Sequence, residues 1–131
     1  MKNQAFQGTP SSPRFALCPS TVKAGDAVLL GKIPAFALND YQSNTGGATF
    51  YTNGTFYTTV VGTTSHSPYT GAAIAPGALL YASGVLDNTT NVTTGLLISA
   101  TSGDTAFGTL DPSYSAGVGS GLTVTSAPVR I

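Results

Sequence analysis

One imidazole, His66, and one thiol, Cys18, are the side chains of this sequence best suited to covalent or metal chemistry. His66 lies in Thr64-Ser65-His66-Ser67-Pro68-Tyr69, where a hydroxyl activated by the ring would be an acyl-transfer nucleophile. Such a pair also needs a carboxylate to orient the ring and donors to hold the oxyanion. No Asp lies between Asp40 and Asp87 and the chain has no Glu, so an orienting acid would have to arrive through the fold. A hydrolase built on His66 therefore requires an Asp beside that imidazole. As a metal site, one imidazole and one thiol fall short of the three or four ligands zinc requires, and no clustered carboxylates point to calcium.

Two glycine patterns approach nucleotide-binding signatures and miss them. Gly25 to Lys32 is one residue too long for a phosphate-binding loop, and Ile33 stands where a Ser or Thr would hold Mg²⁺. Its spacer holds Val28-Leu29-Leu30, a strand sequence and not an anion cradle. Gly117-Val118-Gly119-Ser120-Gly121 neither follows a strand nor opens a helix, so it reads as part of a loop from Ser113 to Gly121. With few titratable groups to pair, the chain is expected not to be an enzyme and to need no cofactor.

Charge and length narrow the partners. Lys plus Arg and Asp plus Glu each number five in 131 residues, so no basic stripe exists for counterion release and nucleic acid is not an expected partner. No apolar run approaches a signal segment or a membrane span, and Cys18 has no partner for a disulfide, which fits a chain staying in a reducing cytoplasm. The triplets at Asn53, Asn88 and Asn91 match a glycosylation pattern that matters only on secretion.

The elements that must position these residues divide into an arm and a body. Residues 1–19 carry Pro10, Pro13 and Pro19 and read as an extended arm, pinned either by neighbouring chains or by its own body through Phe6, Phe15 and Leu17. Residues 20–131 have the grammar of an all-β domain, a small sandwich or partly open barrel of short antiparallel strands. Strands are expected near Val28–Leu30, Ile33–Leu38, Ala78–Tyr81, Leu96–Ala100, Ala106–Leu110 and Leu122–Ile131, with Lys32 in a solvent-facing turn. Pro128 within the last predicts an edge position or a bulge. Thr49-Phe50-Tyr51-Thr52 and Thr55-Phe56-Tyr57-Thr58 flank Asn53-Gly54, which predicts a hairpin with a type I′ turn; the alternative is one long strand with a bulge at Gly54. Alternation then puts Phe50 and Phe56 on one face and Tyr51 and Tyr57 on the other, toward solvent, a neighbour or the core margin. An echo links Ala24-Gly25-Asp26-Ala27-Val28-Leu29 with Ala75-Pro76-Gly77-Ala78-Leu79-Leu80, two turns that each launch an apolar strand.

The order of Ala24-Gly25-Asp26-Ala27-Val28, Gly31, Ala35-Phe36-Ala37-Leu38, Ala48 to Val61 around Gly54, Pro76-Gly77-Ala78-Leu79-Leu80-Tyr81, Phe107-Gly108-Thr109-Leu110 and Val129-Arg130-Ile131 resembles the small capsid cement, or decoration, proteins of tailed bacteriophages. The resemblance covers about residues 20–131. It departs at Ala78, where an acidic residue is usual, and in a Thr-rich insert from Asp87 to Thr105. Some family members have carried a recombinase label, which the failed phosphate loop argues against here.

The resemblance implies a β-rich structural virion protein, made in the bacterial host cytoplasm, on the outer surface of the capsid. It would stabilise the head by bridging copies of the major capsid protein. A homo-oligomer is implied, a trimer first and a dimer second, with no membrane partner. The residues expected to meet the capsid or a neighbour are Phe6, Arg14, Phe15, Leu17, Tyr51 and Tyr57. The alternative is a head-fibre or adhesion module that binds glycans or host surfaces through Tyr69, Tyr114 and the Gly-rich loops.

Overall fold

The structure, a computed structural model, describes residues 13–62, 74–100, 104–119 and 122–131. The described residues contain no helix and nine strands: β1 Arg14–Leu17, β2 Ala27–Leu30, β3 Ile33–Ala37, β4 Gly47–Tyr51, β5 Thr55–Val61, β6 Leu79–Asp87, β7 Val92–Ser99, β8 Thr105–Leu110 and β9 Thr123–Arg130. They form one antiparallel sheet in the order β1-β4-β3-β2-β7-β6-β8-β9-β5. This is the expected all-β architecture. The sheet curls until β5 lies against β7 but does not close. A gap of about 270 Å³ between Gly25–Val28, Thr58–Thr59 and Thr94–Leu96 lies at this approach.

The echo seen in the sequence is a structural duplication. Asp26 donates to Lys23 O and Ala78 to Ala75 O, both at 3.0 Å. Gly25 and Gly77, with φ of +89° and +82°, take the third position of each turn, which a type II turn reserves for a left-handed residue. From there the hydrogen bonds repeat. Gly25 donates to Ala37 O and Ala37 to Asp26 O, as Gly77 donates to Leu110 O and Leu110 to Ala78 O. Leu38 N–H reaches Thr49 O as Asp111 N–H reaches Pro128 O. Thus β2, β3, β4 and β1 correspond to β6, β8, β9 and β5, and β7 lies between the halves.

Alternation along β2 and β3 explains why the halves stay together. Val28, Ala35 and Ala37 face one core with Cys18, Val22, Ala48, Phe50 and Val92, whereas Leu29 and Phe36 face the main core with Leu80, Ile98, Phe107, Leu110 and Val129. Both faces of these strands are buried, so they read as near-continuous apolar runs. Each fully buried Leu, Val or Phe contributes roughly 1.5–3 kcal/mol.

Four expectations need correction. β4 and β5 do not form a hairpin: β4 pairs with β1 and β3, and β5 with β9. A type I′ turn needs positive φ at both central residues. Asn91 is the only non-glycine with positive φ among the described residues, so Asn53 does not supply one. Gly54 instead exchanges hydrogen bonds with Ile131, and the alternative of one long bulged strand fails as well, because the chain crosses between opposite ends of the sheet order. Phe50 and Phe56 consequently serve different cores, and Tyr51 is half-buried against Phe56, 5.8 Å between ring centroids. Pro128 lies on an interior strand and not at an edge, its missing donor falling beyond the last β8–β9 pair, Leu110 with Val129; the alternative of a bulge agrees with the register shift of β9 opposite Thr58 and Val60. Finally, Val118 in the expected loop is buried and bridges Ile74.

The two type II turns predict their own costs. Nothing lies within 4 Å of a Cβ added at Gly25 or Gly77, so Gly25→Ala and Gly77→Ala should each lose about 1–2 kcal/mol in urea unfolding, from backbone strain alone. At the β6–β7 turn the Thr90 hydroxyl donates to Asp87 at 2.6 Å and holds that carboxyl below its ordinary pKa. A depressed carboxylate stabilises the fold above its unfolded pKa, and this stabilisation is lost as pH falls through the folded pKa. In Thr90→Val the Asp87 carbon resonances should titrate at higher pH than in the parent chain.

Candidate contact surfaces

β1 is the near end of the expected arm, and the structure adds it to the sheet. Its residues pair in register with β4, Arg14 with Phe50, Phe15 with Thr49, Ala16 with Ala48 and Leu17 with Gly47. Ala16 turns toward the second core, where Ala48 and Phe50 are buried. By alternation Phe15 and Leu17 turn to the other face, each 55% exposed. Leu38, 47% exposed, continues this apolar row, because its N–H bonds Thr49 O beside Phe15. On the same face further inboard, Tyr51 and Phe36 are covered through Phe56 and the main core. The row is therefore the part of the face that the curled sheet does not reach. Gly47 lets β1 sit this close: a Cβ there would run into Ala16 O and lie 2.9 Å from the Phe15 ring.

The duplicate of β1 is β5, and Tyr57 occupies the place of Phe15. It is 70% exposed, while its pair partner Pro128 on the same side of the sheet is buried. One step along, Thr55, Arg130, Thr109 and Leu79 form a row across β5, β9, β8 and β6, pair by pair. Tyr57, Arg130 and Leu79 are all exposed on this outer face. Strand spacing puts Leu79 within about 10 Å of Arg130.

The expected contact residues thus separate. Phe15 and Leu17 stand together, Arg14 is exposed but points with Ala16 to the opposite face, and Tyr51 is half-buried in packing. Tyr57 belongs to the second surface. Phe6 lies outside the described residues, as do His66 and Tyr69. Tyr114 packs against the main core. Sequence reasoning missed Leu38 and Leu79, because Ala78-Leu79-Leu80 is continuously apolar and carries no period to show which residue turns out.

A polar cleft of about 450 Å³ is lined by Lys32, Ser83, Asn91, Thr93, Asp104 and Thr105, among others. Gly25 to Lys32 is a turn, a strand paired with β3 along its length and with β7 at Leu29 and Leu30, and a second turn, which is not the geometry of a phosphate-binding loop. Among the described residues no group of three His, Cys, Asp or Glu is placed to hold a metal ion. Burial raises the Cys18 pKa above its ordinary value, which keeps this thiol protonated at neutral pH.

The chain matches no known family model, curated protein or solved structure.

Because Gly47 sets the approach of β1, Gly47→Ala should detach that strand and spare the rest. Amide exchange of Ala16 and Cys18 should become fast while Leu80, Ile98 and Phe107 stay protected. Unchanged protection at Ala16 would contradict the packing described.

Proposed function

We propose that this chain is a structural virion protein that decorates the outside of a tailed-phage head and bridges major capsid subunits. The observation that carries this reading is the outer face of β5, β9, β8 and β6, where Tyr57, Arg130 and Leu79 stand exposed together. Tyr and Arg are the residue types that dominate binding energy at specific interfaces, and the neighbouring Thr55 and Thr109 add hydrogen-bonding groups without charge. The order of motifs that resembles the cement family supports the same reading. So does the balanced charge, five basic and five acidic residues, which avoids long-range repulsion when many copies crowd one shell.

A cement protein needs on the order of 1,000 Å² of buried contact for a specific interface. A single flat face of a small domain offers less, and residues 1–19, with β1 fixed in the sheet, would add the remainder along a capsid surface. No catalytic step enters this function.

The test is co-sedimentation of purified protein with undecorated heads, before and after head expansion. Saturable binding to expanded heads is expected, and Tyr57→Ala should weaken it by at least about tenfold without loss of folding. Absence of binding to either form of the head would overturn the reading.

A further inference from the structure

The outer edge of β1 has no strand neighbour among the described residues. The ladder phase shows which groups it presents. Cys18 N–H bonds Gly46 O at 3.3 Å across from β4, so the residues two apart, Ala16 and Arg14, also direct their backbone groups to β4. Phe15 and Leu17 therefore direct their N–H and C=O groups outward. The same two residues carry the exposed apolar side chains.

We propose that β1 pairs antiparallel with β1 of a second copy about a two-fold axis at Ala16. In this register Phe15 faces Leu17 of the second copy and Leu17 faces its Phe15. Both are hydrogen-bonded pairs, so the outward groups form four backbone hydrogen bonds. The arrangement is isologous: the residues that donate on one copy accept on the other. Side chains on opposed residues share a face, so both Phe15 and both Leu17 meet in one apolar cluster. Charge does not oppose it. The two Arg14 residues lie at opposite ends, separated by four residues or about 14 Å, beyond a screening length of about 8 Å. Natural edges discourage such pairing with Lys, Pro or inward charge; β1 has no Lys or Pro between residues 14 and 17, and its one charge, Arg14, is exposed at the start of the strand. Pro13 and Pro19 instead bound it on either side.

The four side chains supply about 100 Å² each, well below the roughly 1,000 Å² of a stable complex, so the pair is reversible in solution and favoured where copies are held close. This two-fold contact would build the dimer, the second of the two oligomers expected from the sequence. It uses the edge of β1 and leaves the Tyr57 face free.

Ala16 faces its counterpart in a non-hydrogen-bonded pair with Cα atoms about 4.5 Å apart, within disulfide range. The full-length chain carrying Ala16→Cys in a Cys18→Ser background, oxidised with copper phenanthroline without heads, should give a disulfide-linked dimer. A cysteine at the exposed turn residue Thr89 should cross-link at least about tenfold less. Adding Leu17→Pro removes an outward N–H but no bond to β4, and should reduce the Ala16→Cys cross-link by a similar factor. Circular dichroism and the unfolding midpoint check that each variant folds. Cross-linking no better than at Thr89, or unaffected by Leu17→Pro, would overturn the proposal. Loss of head binding in Leu17→Pro from a chain that never cross-links would assign the edge to a capsid strand instead, and overturn it too.

Discussion

Two residue pairs, Leu29 with Thr93 and Leu30 with Val92, join the first half of this protein to β7, with Gly31 N–H bonded to Asn91 O beside them, and the packing has to make up for how short that ladder is. A two-pair seam cannot hold two half-sheets by hydrogen bonds alone, since each bond contributes only about 1 kcal/mol net. Burial has to supply the rest. It does so because β2 and β3 carry apolar side chains on both faces, with Val28 and Ala35 in one core and Leu29 and Phe36 in the other. Phe36 is the pivot of that arrangement, stacked on Phe56 with centroids 4.5 Å apart and edge-on to Phe107 at 5.7 Å. Through these rings a strand of the first half holds two strands of the second.

The same duplication that builds the fold also places its surfaces. Phe15 and Tyr57 hold equivalent positions on β1 and β5, but the halves are not packed equivalently. The second half turns its inner face to the main core, whereas the first half rests its outer face on that core and closes its own inner face with Cys18, Val22 and Tyr41. As a result Tyr57 faces outward over a covered layer, and Phe15 hangs beyond the core on an uncovered margin. One sequence element, used twice, yields two chemically different exposed surfaces.

Much of this was legible in the chain, and the exceptions have definite causes. The strands after Gly25, Gly31 and Gly77 could be read because a left-handed glycine followed by apolar β-formers is a local signal, and the strands lie where those turns launch them. The hairpin at Asn53-Gly54 was misread because turn chemistry is local and strand pairing is not: β4 found β1 and β3, and β5 found β9, partners far away in sequence. Pro128 argued for an edge or a bulge; the strand is interior, with a register shift beside Ala127, and the end of β8 at Leu110 removes the need for its donor. The exposed apolar surfaces were only half legible. Phe15, Leu17 and Tyr57 showed as apolar residues in polar company, whereas Leu38 and Leu79 sit in apolar runs where no residue type shows which one faces out.

Pairing through β1 requires an ordered strand with an open outer edge, and residue-resolved amide exchange of the dilute free chain measures this directly. Ala16, bonded to Ala48 across the ladder, should exchange slowly, with Phe15 and Leu17 fast on either side of it, becoming protected as the protein is concentrated. Slow exchange at all three residues in dilute solution would show the edge already covered and contradict the account, and fast exchange at all three would show that β1 is not part of the sheet.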